Sequence, residues 1–298
     1  MLKRILLVLA GLLIGLVGAY LVTSNISKKR VAAQLQEMVA ESDLLESLSY
    51  GKLSTGLLSP SVRLADLELR LKGIEDPVTI GELQVKDIVL QDDFPVAADL
   101  QVEGLRLHAS HSLLAPWQES LASLGYDGVD ISLRLRYLYD PAQRKFALKQ
   151  CELSEPRMGR LQLDLALHNF NLAPFLAHDY RESPFAALGA FSLISLASLE
   201  ADYQDKSLAR NLIDHQARQA GISSGRYVDA LLADLNQRSG DEAAAPVLEA
   251  LEAVTRFLRD PERITVKATP QTAVALMRLF LINNVGDVFD QLNLRVST

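Results

Sequence analysis

The sequence has very little cysteine and no excess of positive charge. Its 298 residues include one cysteine, 30 lysines and arginines and 37 aspartates and glutamates, for a formal net charge of −7. A single cysteine excludes a disulfide framework and a cysteine-rich zinc module. The acidic balance argues against a nucleic-acid-binding domain, because such domains normally carry a basic surface that meets the phosphates. We therefore expect no nucleic-acid partner.

The usual signatures of metal and catalytic sites are also missing. The chain has no HExxH zinc motif and no GxGxxG or Walker A loop to hold phosphates. His108 and His111 are three residues apart, but they lie at the end of a predicted strand, where this spacing does not bring two ligands together. Cys151 is isolated on another predicted strand, which is typical of a small core residue. The sequence predicts no metal, no cofactor and no enzymatic activity.

Two short motifs match serine-hydrolase patterns. Residues 221–225 read GISSG and fit GxSxG, and residues 49–52 read SYGK and fit SxxK. A GxSxG elbow needs a strand before the serine and a helix after it, whereas helical patterns stand on both sides here. Gly221 is instead interpreted as a helix stop, and Ser223 or Ser224 as the next helix cap. A serine hydrolase that uses Ser223 is one of three functional hypotheses.

One long hydrophobic run stands near the amino terminus. Residues Ile5–Val22 carry no charge over 18 positions, or about 27 Å of helix at the standard rise, which predicts a transmembrane helix. The run is longer than a typical signal h-region and no small-x-small cleavage site follows it, so an uncleaved anchor is preferred to a signal peptide. Gly11, Gly15 and Gly18 form a small-residue face that suits helix packing in a membrane, although glycine is common in such helices.

Basic residues flank both ends of the predicted membrane helix. Lys3 and Arg4 precede it, and the KKR sequence at 28–30 follows it. The positive-inside rule therefore gives no clear orientation. We interpret residues 1–4 as a short cytoplasmic tail.

The rest of the chain divides into three predicted segments. Residues 23–48 are predicted as a juxtamembrane helix, because Val31, Leu35 and other apolar residues recur at helical spacing. Residues 49–205 are predicted as a β-rich domain. Residues 206–298 are predicted as a helical region whose terminal strands complete the same domain.

A repeated strand unit is the most informative pattern of the β-rich segment. Four copies place apolar residues at offsets 0, 2, 5 and 7, as in Val62–Leu69, and the fourth is Leu165–Leu172. The step of three would put the second pair on the opposite face of a regular strand. A bulge at the Asp, Gly or Asn between the pairs would restore one apolar face, and a two-stranded corner is the alternative. The apolar positions of the first three copies are our candidates for a ligand-binding groove: Val62, Leu64, Leu67, Leu69, Leu83, Val85, Ile88, Leu90, Leu100, Val102, Leu105 and Leu107.

Periodicity also predicts the remaining elements. Val129–Tyr139 alternates apolar and polar residues, which is typical of a half-buried antiparallel strand, and leucine-rich helical stripes follow Asp205. Leu292–Val296 predicts a terminal strand that adds to the sheet. Other predicted elements are short helices at 112–124 and 272–281 and strands at 145–153, 158–167, 191–203 and 263–267. The predicted fold class is α+β, with an N-terminal transmembrane helix, a long curved antiparallel sheet with helices packed on one face, and a helical C-terminal region.

The order of these segments resembles that of the AsmA-like and YdgA-like envelope proteins of Gram-negative bacteria. Those proteins begin with a membrane helix, a short helix, a Tyr-led strand and repeated sheet units. The corresponding stretches here are Ile5–Val22, Ser27–Ser47, Tyr50–Leu58, Val62–Leu69 and Leu83–Ile88. The resemblance implies an inner-membrane anchor with a non-catalytic, β-rich periplasmic domain, of the kind in which such sheets shield lipid chains. This chain is shorter than most of those proteins, and one small sheet cannot span the envelope.

Two further functional hypotheses follow. In the first, the anchored protein binds phospholipid or another apolar ligand on the aliphatic face of its sheet, since such a face must be covered by helices, by another chain or by a ligand. Coverage by the protein's own helices is the simpler alternative. In the second, the protein is a structural or assembly factor that holds other envelope proteins.

Overall fold

The sheet is the main element of the structure. A computed structural model describes residues 28–56, 61–91, 94–171, 189, 192–239, 245–282 and 284–298. Within these ranges eleven strands form one antiparallel sheet, in the order β1 to β9 and then β11, with β10 beside β8. The strands are β1 (Leu45–Thr55), β2 (Ser61–Leu71), β3 (Val78–Gln91), β4 (Phe94–His108), β5 (Gly128–Asp140), β6 (Lys145–Glu155), β7 (Gly159–His168), β8 (Ser195–Asp205), β9 (Arg263–Ala268), β10 (Val274–Ala275) and β11 (Leu294–Ser297). The large antiparallel sheet with helices is thus confirmed.

Helices precede, interrupt and follow the strands. They are α1 (Lys28–Glu41), a 3-10 helix (Ser112–Trp117), α2 (Gln118–Ser123), α3 (Leu208–Gln219), α4 (Ser224–Ser239), α5 (Ala245–Arg259), α6 (Leu276–Phe280) and α7 (Val285–Leu292). Among the residues described, no helix is long and apolar enough to cross a membrane. The membrane helix predicted at 5–22, its glycines Gly11, Gly15 and Gly18, and the tail at 1–4 lie outside the described residues.

The described chain separates into two compact units. Unit 1 comprises the chain up to Arg136 together with Glu152–Pro156, and unit 2 comprises Tyr137–Cys151 and Arg157–Thr298. The sequence predicted one soluble domain, with a change from strands to helices at residue 205. That boundary falls inside unit 2. There β8 pairs directly with β9, although helices α3, α4 and α5 lie between these strands in the sequence. Periodicity identified the change of element type but not the division into units.

In unit 1 the repeated strand units owe their single apolar face to left-handed residues between the two apolar pairs. Asp66 in β2 and Gly104 in β4 have φ values of 53° and 64°. The strand registers place Gly51, Asp66, Gly81 and Gly104 side by side across β1 to β4. The backbones approach closely there, because a Cβ atom on Gly81 would lie 3.2 Å from the carbonyl oxygen of Glu103. We call these four positions the kink row.

The other two copies of the repeated unit, around Asp87 and Asn169, differ from those around Asp66 and Gly104. Asp87 has φ 53°, and β3 uses three residues from Lys86 to Val89 where β4 uses two, which is a β-bulge. In the fourth copy, Asn169 has φ 56° but follows the last residue of β7, so Phe170 lies beyond the strand. The predicted bulge is found at Asp87, whereas at Asp66 and Gly104 the pairing stays in register around a residue with positive φ, and the fourth unit is not a continuous strand.

The first described helix of unit 1 ends earlier than the sequence predicted. Helix α1 ends at Glu41, and β1 begins at Leu45. The hydroxyl oxygen of Ser42 accepts hydrogen bonds from the backbone N–H groups of Leu44 and Leu45, at 3.1 and 3.0 Å. This serine turn competes with helical hydrogen bonding, so the helical spacing that appeared to extend to Ser47 ends early. Helix α1 packs against β1.

In unit 2, one face of β7, β8, β9 and β11 is apolar. Leu165 pairs with Leu199, Leu199 with Ala268, and Ala268 with Leu294. This face meets the C-terminal helices in a buried cluster of Leu167, Ile194, Leu196, Ala268 and Leu292. The predicted terminal strand is confirmed as β11, which pairs with β9. The predicted helix at 272–281 is shorter, because β10 takes its first residues, and α7 was not predicted.

A single carbonyl group joins the β6–β7 hairpin of unit 2 to helix α3. The carbonyl oxygen of Met158 accepts hydrogen bonds from the backbone N–H groups of Lys206, Ser207 and Leu208, at 3.1 to 3.3 Å. The first N–H groups of a helix have no partner within the helix, and here the hairpin supplies one. The Asp205 carboxylate adds a bond from the N–H of Ala209 at 2.8 Å.

Candidate functional site

The aliphatic positions predicted to line a groove are closed. Eleven of the twelve are at most 5 % exposed, and Leu90 is half-buried. Helix α1 contributes to the cover over β1 with Val31 and Leu35, which are buried as well. The structure therefore brings these residues together on one face, as predicted, but that face forms the core of unit 1.

The apolar residues of β5, β6 and β7 are covered much less. Between Val129 and Leu165 every described leucine, isoleucine, tyrosine and phenylalanine of these strands is half-buried or exposed. Leu138, Leu153 and Leu161 are among the exposed large apolar residues of the protein. Apolar side chains of these strands therefore remain partly exposed to solvent.

Four aromatic side chains of unit 2 form a continuous group, which we call the aromatic patch. It consists of Tyr137, Tyr139, Phe146 and Phe170. The Tyr137 and Phe146 rings stack with centroids 6.2 Å apart, Phe146 lies 5.1 Å from Phe170, and Tyr139 meets Phe170 edge to face at 5.9 Å. Phe146 and Phe170 also pack against the buried cluster of unit 2. The patch is half-buried, so one side faces the core and the other faces solvent.

The ionisation of Tyr137 reflects this environment. Burial raises the pKa of its phenol to about 12, because the charged phenolate is poorly solvated among apolar groups. Tyr137 therefore stays neutral over the physiological range. The patch offers aromatic faces and neutral hydroxyl groups, which suit an apolar chain with a polar end.

The alternation of apolar and polar residues predicts these strands but not the aromatic patch. Tyr137 and Tyr139 were placed on one face of an alternating strand, and Phe146 follows the turn at Asp140. A short hairpin places residues equally far from its turn opposite each other, which would have set Tyr139 beside Phe146. Phe170 could not be foreseen in this way, because it contacts the patch only after β7 has ended.

The GxSxG motif is a connection between two helices. Helix α3 ends before Gly221, which has φ 67°, and α4 begins at Ser224. The hydroxyl oxygen of Ser223 accepts from the N–H of Arg226 at 3.4 Å, and Ser224 donates to the Asp214 carboxylate at 2.5 Å. The motif is thus a helix stop and a helix start, as the sequence indicated, and it lacks the strand that a nucleophile elbow requires.

A cleft of about 540 Å³ lies beside this connection, between α3, α4 and the end of α5. Its floor includes Ile213, Val228 and Leu258. At its rim Arg210 pairs with Asp260 at 3.0 Å and Arg259 pairs with Asp229 at 3.4 Å. These exposed pairs already satisfy the arginines, and such pairs contribute little stability.

The other residues considered for chemistry are apart from one another. Cys151 is half-buried, and burial, followed by the nearby Asp164 charge, raises the pKa of its thiol, which disfavours the reactive thiolate. His108 is exposed, whereas His111 is buried and hydrogen-bonded to backbone groups. In the part of the chain that the structure describes, no group of three or more His, Cys, Asp or Glu residues could hold a metal ion.

The C-terminal part of the chain is similar to a protein family. A family model described as "Uncharacterized protein" matches residues 152–298. No curated protein matches the chain. The matched stretch begins within β6 and includes all of unit 2 that follows Pro156, so this chain is similar to that family over most of the unit that carries the aromatic patch.

Proposed function

We propose that this protein is a non-catalytic binding protein of the bacterial envelope. In this proposal residues 5–22 anchor it in the inner membrane, the bulk of the chain lies in the periplasm, and the aromatic patch holds a phospholipid chain or another apolar ligand. The uncharged 18-residue run and the resemblance to AsmA-like and YdgA-like proteins support the location. The open patch supports the binding role.

The contrast in burial is the observation that carries this proposal. The residues first expected to form a groove are sealed inside unit 1, so a ligand there would have to displace the protein's own core. The aromatic patch is half-exposed without any rearrangement. Apolar surface that stays open in this way is typical of a ligand or partner site.

Photocrosslinking can test the ligand and its location together. The full-length protein would be reconstituted in phospholipid vesicles that contain a phospholipid with a photoreactive acyl chain, irradiated, and digested for mass spectrometry. We expect acyl crosslinks on peptides that contain Tyr137, Tyr139, Phe146 or Phe170. The variant Phe146→Ser should lose most of this signal, because it removes the central ring of the patch.

Leu153→Ser is the matched control, since Leu153 lies on the same strand, is 43 % exposed and is outside the patch. It should crosslink as the wild type does. Crosslinks confined to β2–β4, or equal labelling of both variants, would contradict the proposed site. Labelling of the residue 5–22 segment alone would support the anchor and refute the lipid-binding role.

A structural or assembly role is the second candidate. Leu281 and Val285, which flank the connection from α6 to α7, are 75 % and 53 % exposed, and exposed apolar surface suits a protein partner. Photoreactive residues placed at 281 and at 139 in cells would distinguish the candidates. Protein adducts at 281 without lipid adducts at 139 would favour the assembly role.

A further inference from the structure

One histidine of unit 1 is buried and bound at both ring nitrogens. His111 is 6 % exposed and stands directly before the 3-10 helix. Its Nδ1 atom accepts a hydrogen bond from the N–H of Leu113 at 3.1 Å, so the side chain caps that helix. Its Nε2 atom lies 3.3 Å from the carbonyl oxygen of Pro77, in the loop between β2 and β3. The cap of the 3-10 helix is thus the histidine that precedes Ser112.

These two contacts require one form of the imidazole. Nδ1 must have a free lone pair to accept from Leu113, and Nε2 must carry a proton to donate to Pro77. Only the neutral ring with its proton on Nε2 satisfies both. Protonation of Nδ1 would turn it into a donor that faces the N–H of Leu113, and the cap would be lost.

We propose that His111 is a proton-sensitive latch between the β2–β3 loop and the segment of residues 112–124. The neutral ring holds the two together, and the charged ring releases the start of the 3-10 helix. The latch is closed while the ring is neutral and opens when the ring is protonated. A second bond spans the same two segments, since the carboxylate of Asp76 accepts from the N–H of Ser112 at 3.2 Å.

The charges around the latch are in contact with solvent. The titratable and charged groups on the neighbouring elements are Lys72, Glu75, Asp76, His108, Glu119 and Asp127, and all are exposed. Water and salt weaken their effect on the ring. Asp76 is the group that would attract the charged ring, and it would draw the ring away from Leu113.

The natural tryptophan makes the latch measurable in the full-length protein. Trp117 is the only tryptophan of the chain, is 60 % exposed and ends the 3-10 helix. On acidification from about pH 8 to about pH 5, we expect the fluorescence anisotropy of Trp117 to fall. The protection factor of the Leu113 amide, corrected for intrinsic exchange, should fall roughly five- to tenfold, as expected for one lost hydrogen bond.

Two variants and one spectrum make the test decisive. His111→Asn keeps an acceptor at the cap and does not titrate, so its anisotropy should not depend on pH, whereas His108→Asn should respond as the wild type does. Ring nitrogen NMR of the wild type at high pH should show the proton on Nε2. A proton on Nδ1, an unchanged Leu113 protection factor, or a pH response that survives in His111→Asn would overturn the latch.

Discussion

Strands β2–β4 and strands β6–β7 show a similar alternation of apolar residues. Their apolar faces, however, are buried to different extents. In unit 1 the residues of the repeated units are almost completely buried, whereas in unit 2 Phe146, Leu163 and Leu165 remain half-buried. Alternation shows which residues share a face, but it does not show what lies on top of that face. The sequence pattern alone therefore does not distinguish the buried face from the open one.

The largest expected effect tests this contrast directly. Leu64→Ala should lower the free energy of unfolding of the full-length protein by about 3 kcal/mol or more, because it leaves a cavity in a core with no exposed side. Leu163→Ala should cost about 1 kcal/mol, since the half-buried side chain loses fewer contacts. Urea unfolding in detergent, followed by circular dichroism, would measure both. Equal losses would mean that the two faces are covered alike.

Close backbone approaches should matter equally in both units. A Cβ atom on Gly128 would lie 2.5 Å from the carbonyl oxygen of Leu107, and one on Gly159 would lie 2.6 Å from that of Gln204. Each glycine-to-alanine change should therefore cost about 2–3 kcal/mol, as overpacking against backbone does. Gly225→Ala is the control, because nothing lies within 4 Å of its Cβ position. A loss in that helical control would show that the method reports something other than these clashes.

Unit 1 also buries a charged residue on its polar side. Asp99 in unit 1 is 2 % exposed and pairs with Arg134 at 3.3 Å, with Lys86 at 3.9 Å. Asp99→Asn should cost about 1–2 kcal/mol, since it removes the buried partner of two cations that can still reach solvent. Thermal unfolding at neutral pH would measure this. A stabilised variant would show that burying the charge costs more than its pairs return.

The smallest expected effect concerns acid stability in unit 2. Burial opposes ionisation of the Asp202 carboxyl. This effect is outweighed by hydrogen bonds from Thr265 and Arg263, by the Arg263 charge and by a hydrogen bond from Gln204. The pKa of the carboxyl therefore lies below its ordinary value. The stabilisation is therefore present above the ordinary pKa and is lost as the pH falls through the lowered one. Asp202→Asn should remove no more than about 1 kcal/mol and flatten the acid limb of a stability-against-pH curve. An unchanged limb would contradict this assignment.

Much of the fold followed from local sequence patterns. The positions of most strands, the helix stop at Gly221 and the change of face at Asp66, Asp87 and Gly104 could be predicted, because they depend on side-chain periodicity and on residues that tolerate positive φ. The early end of α1 was missed, since one serine turn outweighed an apparently helical spacing. Helix α7 was missed because it is short, with only eight residues.

The candidate site was less predictable than the fold. Covering a face is a tertiary event, so the twelve groove candidates could not be distinguished from a core by sequence. The aromatic patch depends on Phe170 returning to the hairpin of Tyr139 and Phe146. His111 became a cap because its ring reaches Leu113 and Pro77 together, which depends on a loop 34 residues earlier in the chain.

The kink row also restricts how unit 1 can change during evolution. Because Gly51, Asp66, Gly81 and Gly104 lie side by side, a deletion of one residue in any of these strands would set a left-handed position against ordinary strand residues in its neighbours. Such a slip would be costly at every strand at once. Asp66 can be exchanged for glycine or asparagine, but length changes are confined to the loops. The four residues thus help to keep the neighbouring strands in register.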